Sequence, residues 1–227
     1  NQDIKDKWDF WVFNLSAYGW FNGEAYYKSK NIYGEISASR TTNERKIQFS
    51  FNNNYNKNNY RIDDSTEFIS LFKSYYAEAS YVHSLNDHWS AGLDVEYSSS
   101  IFSNMKFNML NSVLFEYNIF PYSESTRKQW RFYYKAGPRF DQYYDTTVLL
   151  KTKMTWAVQE TGMYVRIIKE WGSFDTWISY VTMLNDFRYW GASISSEASF
   201  NLFKGFNLNL SANVSFIQNQ VSLRLDE

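Results

Sequence analysis

Charged side chains recur at alternate positions along several segments of the chain, and this spacing limits the chemistry they can do. Small or acidic residues alternate with apolar ones over 89–98, and basic residues alternate with aromatic ones over 130–141. Alternate residues of a β-strand share one face, so each segment would have a charged face and an apolar face. The charged residues that we expect to share a face are Glu78, Asp94, Glu96, Lys106, Glu116, Arg131, Lys135, Arg139, Arg166 and Glu197.

Two interpretations of this charged face stay open. Acids and bases on neighbouring strands could pair and fill the interior of a small barrel, as side chains do in narrow barrels. They could instead line a narrow aqueous pore whose acidic and basic walls orient small polar solutes. The sequence favours the filled interior, and neither interpretation names a solute.

Residues for an enzyme active site are sparse. His83 and His88 flank one short turn, where we expect turn contacts such as His83 with Asp87. The chain has no cysteine, which excludes thiol catalysis and cysteine zinc sites, and it has no phosphate loop, nucleophile elbow or EF-hand loop. Two metal alternatives are a two-histidine site with Asp87, whose three ligands in one turn lack the spacing of common sites, and a surface cation at Asp63 and Asp64. We predict no catalytic residue, no metal and no cofactor, with a lipid-modifying enzyme as the last alternative.

The elements that would position the charges are β-strands. Alternation is clearest over 206–216, where apolar residues alternate strictly with asparagine and serine. Similar patterns predict eleven strands, at about 8–21, 31–41, 45–56, 67–84, 88–100, 104–120, 128–144, 148–168, 172–184, 187–202 and 205–219. Ten strands would result if 148–168 and 172–184 formed one disrupted hairpin.

Composition favours strands whose apolar face meets lipid. Aromatic residues make up 21% of the chain, and the mean hydropathy is −0.53. No 18-residue apolar run marks a transmembrane helix, but a strand needs to bury only alternate residues. We therefore predict one domain over 1–227, an all-β antiparallel up-and-down transmembrane β-barrel with aromatic girdles. The 23 basic and 24 acidic residues give no basic patch for nucleic acid.

The strand count and the connections bear on closure and orientation. Bacterial barrels have even strand numbers, so we expect about twelve strands. Either the closing strand lies outside the sequence shown, or the count of eleven is wrong by one. Short turns alternate with longer loops, which is typical of periplasmic and extracellular ends respectively. The long connection at 121–127 breaks this rule, and its residues Pro121, Tyr122, Glu124 and Arg127 form either a periplasmic docking turn or a turn that only sets register.

Two strands contain irregular features. In 148–168 the apolar residues change parity near 159–162, which predicts a β-bulge. The alternative is a lateral defect or a partner contact marked by Glu160 beside Gly162. Pro138 lacks an N–H group and predicts a second local irregularity.

Four segments resemble uncharacterised outer-membrane β-barrel proteins common in Bacteroidota. They are D-H-W-S-A-G at 87–92, E-Y-N-I-F-P-Y-S-E-S-T-R at 116–127, E-W-G-S at 170–173 and F-K-G-F-N-L-N-L-S-A-N-V-S at 203–215. The resemblance implies a barrel fold and an outer-membrane location, and in that group a further strand follows the segment matching 205–222. The resemblance implies no activity for this chain.

We therefore expect a structural or accessory subunit of an outer-membrane assembly, shown as a mature chain without its signal peptide. Its partners would be phospholipid, lipopolysaccharide and other outer-membrane or periplasmic proteins. A narrow passive pore is the first alternative, and a soluble carbohydrate-binding sandwich is the most distant one.

Overall fold

The computed structural model describes residues 8–42, 44–63, 65–121, 124 and 127–225. Within these described ranges eleven strands follow one another, and most begin and end within a few residues of the positions that the alternation predicts. They are β1 (Trp11–Gly23), β2 (Tyr27–Thr41), β3 (Arg45–Arg61), β4 (Glu67–Ser84), β5 (Trp89–Ser100), β6 (Met105–Asn118), β7 (Lys128–Tyr143), β8 (Lys153–Lys169), β9 (Gly172–Met183), β10 (Trp190–Phe203) and β11 (Phe206–Ile217).

Every strand pairs antiparallel with its neighbour in sequence, in a single sheet of order β1 to β11. This confirms an all-β antiparallel up-and-down architecture of eleven strands, and the ten-strand alternative is wrong because β8 and β9 are separate strands. The described sheet is open, with β1 and β11 as its two edges. Within the described ranges, no helix has the length and apolar character needed to cross a bilayer.

The connections fall at two ends of the sheet. The turn end comprises the connections at 42–44, 85–88, 119–127, 170–171 and 204–205. The loop end comprises 24–26, 62–66, 101–104, 144–152 and 184–189, together with the segment that follows β11.

The sheet curves around one of its faces, here called the inner face. Lys46 of β3 and Trp177 of β9, six strands apart, line one cavity of about 120 Å³ together with Glu78, Glu116 and Lys135. The opposite, outer face carries most of the exposed aromatic and branched side chains, such as Leu93 and Phe132.

The parity change in β8 has a different cause from the predicted bulge. The ladder from β7 to β8 runs without a register shift from Lys128–Ile167 to Gln142–Lys153, and the β8–β9 ladder is equally regular. Trp156 and Val158 are on the inner face, where they form a buried apolar cluster with Met183 and Val221. The bulge prediction was therefore wrong, because the inner face changes from polar to apolar near the loop end.

Pro138 interrupts pairing without changing register. The β6–β7 ladder has the pairs Leu110–Arg139 and Val113–Ala136, with the same offset on both sides of Pro138. Next to it, Gly137 approaches β6 so closely that a Cβ atom would overlap the carbonyl of Asn111. A glycine at this point lets two backbones come into contact.

Candidate functional site

A charged cluster of Asp94, Glu96, Lys135 and Glu160 lies at the centre of the inner face. The Lys135 Nζ atom is 2.5 Å from Glu96 Oε1, 3.4 Å from Asp94 Oδ1 and 3.6 Å from Glu160 Oε2. The Tyr133 hydroxyl donates to Glu160 Oε1 at 2.6 Å. Alternation positions all four side chains: Asp94 and Glu96 are two apart on β5, and Lys135 pairs directly with Glu160 across β7 and β8.

A second ion pair lies next to this cluster toward the turn end. Arg131 Nη1 is 2.9 Å from Glu116 Oε1, and both side chains are largely buried. The Arg131 guanidinium also lies 5.5 Å from the centre of the Tyr164 ring, within range of a cation–π contact. These groups and Lys46 surround the 120 Å³ cavity, so basic and acidic side chains neutralise one another around a small space.

Three more of the expected charged residues belong to separate contacts on the inner face. Arg139 Nη2 is 3.0 Å from Asp141 Oδ2, and Asp141 also accepts from Asn108 and Tyr143. Arg166 Nε is 2.6 Å from Asp175 Oδ1. Glu78 accepts from the Tyr76 hydroxyl at 3.0 Å and lines the same cavity as Lys135.

Two expected residues stay apart from these contacts. Lys106 is exposed because a register shift between Met105 and Phe107 removes it from the β6–β7 ladder. Glu197 is exposed on β10, directly opposite Asp175 of β9.

Sequence reasoning missed Glu160 and Asp175 as members of the charged face. Glu160 falls where apolar parity changes in β8, so its alternation pointed to an irregular strand. Asp175 is the only charged residue of β9, so no alternation of charges marked it. Asp175 could have been found only from its direct cross-strand pairing with Arg166. That pairing depends on strand register, which the local sequence does not show.

Of the two histidines considered for catalysis, His88 makes a structural contact. His88 Nδ1 lies 2.7 Å from the Asn118 carbonyl oxygen and not against His83, which is exposed on β4. The Asn86 side chain accepts from the amides of His88 and Trp89 and so holds the turn. No group of three or more histidine, aspartate or glutamate side chains in the described part of the chain is arranged to hold a metal.

The turn-end connection at 119–127 is described in part. The Glu124 amide donates to the Pro121 carbonyl at 2.9 Å, and the Arg127 amide donates to the Glu124 carbonyl at 3.0 Å. The Lys128 ammonium lies 3.5 Å from the centre of the Phe120 ring. Tyr122, the remaining residue of the expected docking turn, lies outside the described residues.

Asp63 makes the contacts of a turn in the β3–β4 loop. Its Oδ1 atom accepts from the amides of Ser65 and Thr66 and from the Ser65 hydroxyl, at 2.8–2.9 Å. The Ser65 backbone and hydroxyl bonds, with those of Thr66, lower the pKa of Asp63 below its usual value. Asp64 lies outside the described residues.

Residues 218–225, here called the strap, cross the loop end of the inner face. Val221 is 3% exposed and packs against Trp156, Val158 and Met183. Further along, the Val148 amide donates to the Leu223 carbonyl at 2.9 Å, and Thr147 forms a β-bridge with Arg224.

The strap also reaches the β5–β6 connection. The Asn104 side-chain amide donates to the carbonyls of Asp145 and Ser222, both at 3.0 Å. Arg224 binds the Asp145 carboxylate at 3.0 Å and the Ile101 carbonyl at 2.7 Å. The strap thus connects the end of β11 to the loops around β5–β8.

Together, the fold and the site define an open antiparallel meander whose concave face carries paired charges and whose convex face is apolar. Comparison with protein family models, with curated proteins and with solved structures finds no match to the chain.

Proposed function

We propose that the chain is an integral outer-membrane β-barrel protein that serves as a structural or accessory subunit of an outer-membrane assembly. The observation that carries the proposal is the inverted distribution of polarity. On β5, Asp94 is 4% exposed whereas its neighbours Leu93 and Val95 are 58% and 36% exposed. Water-soluble folds bury the opposite set, whereas lipid-facing strands expose apolar residues and turn polar ones inward.

The distribution of tryptophan supports a bilayer location. Five of the nine tryptophans lie in or beside strand termini at the turn end: Trp8, Trp11, Trp89, Trp130 and Trp171. Tryptophan favours the level of lipid headgroups, so this row fits one girdle of a transmembrane barrel. Phospholipid and lipopolysaccharide would then contact the outer face.

The open edges support a barrel that one more strand closes. β1 and β11 are both odd-numbered in an up-and-down sheet, so they run in the same direction. Direct pairing of the two would be parallel, whereas one strand of opposite direction between them completes an antiparallel barrel of twelve. In hydrocarbon an open edge leaves backbone groups without hydrogen bonds, which is why a lipid location requires this closure.

The interior supports a structural role more than transport. The basic groups around Lys135 and Arg131 are paired, the cavity between them is small, and the strap crosses the loop end. A narrow pore is the second candidate, favoured by a larger cleft of about 570 Å³ on the inner face of β1–β4. A partner protein would meet the turn end at Pro121, Glu124 and Arg127, where the longest turn-end connection lies.

Membrane fractionation with a gel-shift assay tests the location. The folded protein should sediment with outer membranes and migrate faster on SDS gels before boiling than after it. A protein found in the aqueous fraction whose mobility is unchanged by heat would overturn the proposal. Planar-bilayer recording separates the two candidates, because the structural subunit predicts no reproducible conductance and the pore predicts discrete channels.

A further inference from the structure

The inner face has a second half, on β1–β4, that differs in chemistry from the charged half. Its cleft of about 570 Å³ has aromatic walls formed by Tyr18, Trp20, Tyr33 and Phe72, and amides supplied by Asn31, Asn54 and Asn56. This volume lies in the range of small-molecule sites. Apart from the tyrosine hydroxyls, the lining side chains named here do not ionise.

Strand register arranges these side chains in two rows across the sheet. In one row Trp20 pairs with Asn31, Asn31 with Asn56, and Asn56 with Phe72. Two amides therefore lie between two aromatic rings.

In the next row Tyr18 pairs with Tyr33, and Tyr33 pairs with Asn54. The rings of Tyr18 and Tyr33 are stacked, with centres 5.0 Å apart and planes 24° from parallel. The two rows together form a surface of ring faces and carboxamides.

The amides are oriented by a chain of hydrogen bonds. The Asn58 amide nitrogen donates to Asn56 at 2.9 Å, Asn56 donates to Asn31, and Asn31 donates to Ser29 at 3.1 Å. A carboxamide has two N–H donors and two acceptor lone pairs. Each of these bonds uses one donor, so a donor remains on each amide for a ligand in the cleft.

Two of the four aromatic side chains, both on the edge strand β1, are exposed although they are on the inner face. Trp20 is 68% exposed and Tyr18 is 64% exposed, in contrast to the buried groups around Lys135. The acidic side chain closest in register is Glu35, one row away, which accepts from the Tyr33 hydroxyl at 2.7 Å. The cleft thus offers ring faces and amides without a charge to pair with a phosphate or carboxylate.

We propose that this cleft binds a neutral oligosaccharide. The C–H faces of a sugar ring pack against the electron-rich faces of aromatic rings, and sugar hydroxyls both donate to and accept from carboxamides. A phospholipid headgroup or an acidic polymer would need basic side chains that this lining lacks. The inner face is directed away from the apolar outer face, so the ligand is a free oligosaccharide. It enters at the loop end on the β1–β4 side, away from the strap contacts at Asn104 and Val148.

Calorimetric titration of the full chain in detergent micelles tests the proposal. The probes are neutral tri- to hexasaccharides of glucose, mannose, galactose, xylose and N-acetylglucosamine, with an oligogalacturonate as the acidic comparator. We expect saturable binding of at least one neutral probe and none of the acidic one. The same sugar carried on a lipid tail should bind no more tightly than the free sugar.

Matched pairs of variants locate the site. Trp20→Ala and Asn54→Ala should weaken binding at least tenfold, whereas Phe21→Ala and Asn53→Ala, which change adjacent residues on the outer face, should leave it unchanged. Phe21 is 66% exposed, so it matches Trp20 in exposure. Trp20→Phe should also remove the change in tryptophan fluorescence on binding while the protein keeps its β-sheet circular dichroism.

The proposal is overturned if no neutral probe binds, if the acidic probe binds equally well, or if the outer-face variants lose as much affinity as the inner-face ones. It is also overturned if only the lipid-linked sugar binds. These outcomes are independent of membrane fractionation and leave the proposed structural role untouched.

Discussion

Lys135 and Glu160 are direct partners in the β7–β8 ladder, yet the Lys135 ammonium lies closer to Glu96 of β5, at 2.5 Å as against 3.6 Å. The lysine therefore reaches over β6 and joins β5 to the adjacent strands β7 and β8. This arrangement makes Lys135 the shared counter-ion of three carboxylates.

Lys135→Met is expected to destabilise the folded protein by about 3–5 kcal/mol, because it leaves buried carboxylates without their cation. Urea unfolding in lipid vesicles measures the change. Lys106→Met is the matched control, since Lys106 is exposed at a bulge and should change the unfolding free energy little. If the two substitutions lowered the unfolding free energy equally, Lys135 would not be the shared counter-ion of the three carboxylates.

Leu93→Arg separates a lipid-facing surface from a water-facing one. Leu93 lies near the middle of β5 and is 58% exposed, so a charge there should cost about 2–4 kcal/mol in a bilayer. On a surface in water the same change would alter stability by roughly 0.5 kcal/mol or less. Phe102→Arg, at the loop end, should be nearly neutral in both settings, and vesicle unfolding compares them.

Gly137→Ala is expected to destabilise the sheet by about 1–3 kcal/mol or more, since an added methyl group overlaps the Asn111 carbonyl. Thermal unfolding followed by circular dichroism measures the loss. Gly23→Ala serves as the control, because nothing lies within 4 Å of a Cβ atom at that position. If both variants unfold at the wild-type temperature, the close contact between β6 and β7 is absent.

Val221→Asp should release the strap, because it places a carboxylate among Trp156, Val158 and Met183. Hydrogen exchange should then accelerate at the amides of Val148 and Leu225, which bond the Leu223 and Thr146 carbonyls. Leu223→Asp, at a side chain that is 41% exposed, should leave exchange unchanged. A strap that stays protected in Val221→Asp would mean that the apolar contacts do not hold it.

Acidification should loosen the β3–β4 loop through Asp63. Folding lowers the pKa of Asp63, so the ionised carboxylate stabilises the folded loop. This stabilisation is fully present above the usual aspartate pKa of 3.8 and is lost as the pH falls through the folded-state pKa. The amide NMR shifts of Ser65 and Thr66 should therefore titrate with a midpoint below pH 3.8. In Asp63→Asn these shifts should not titrate in that range. If the titration were unchanged in this variant, a group other than Asp63 would be its cause, and the prediction would be wrong.

Local alternation predicted most of this fold because each strand carries its own pattern. Asp94, Glu96 and Lys135 were placed on one face from spacing alone, since a strand has a period of two. Their exact partners were not predictable, because register across β5–β8 decides that Lys135 meets Glu160. In β8, Trp156 and Val158 are buried by Val221, which is more than 60 residues away in sequence, so the local pattern carried no signal of that contact. The prediction for Lys106 was wrong for a similar reason. A one-residue register shift removes this side chain from the face that its position in the alternation predicts.

Because all strand ladders of the described sheet join neighbours in sequence, the chain can be assembled one hairpin at a time. Each new strand closes only a short loop, which favours rapid folding because little chain entropy is lost before pairing begins. A cut in the 119–127 connection would leave β1–β6 and β7–β11 each with their own pairings complete. The two fragments would meet again through a single ladder, the ion pairs of Arg131 and Lys135, and the strap that spans the loop end.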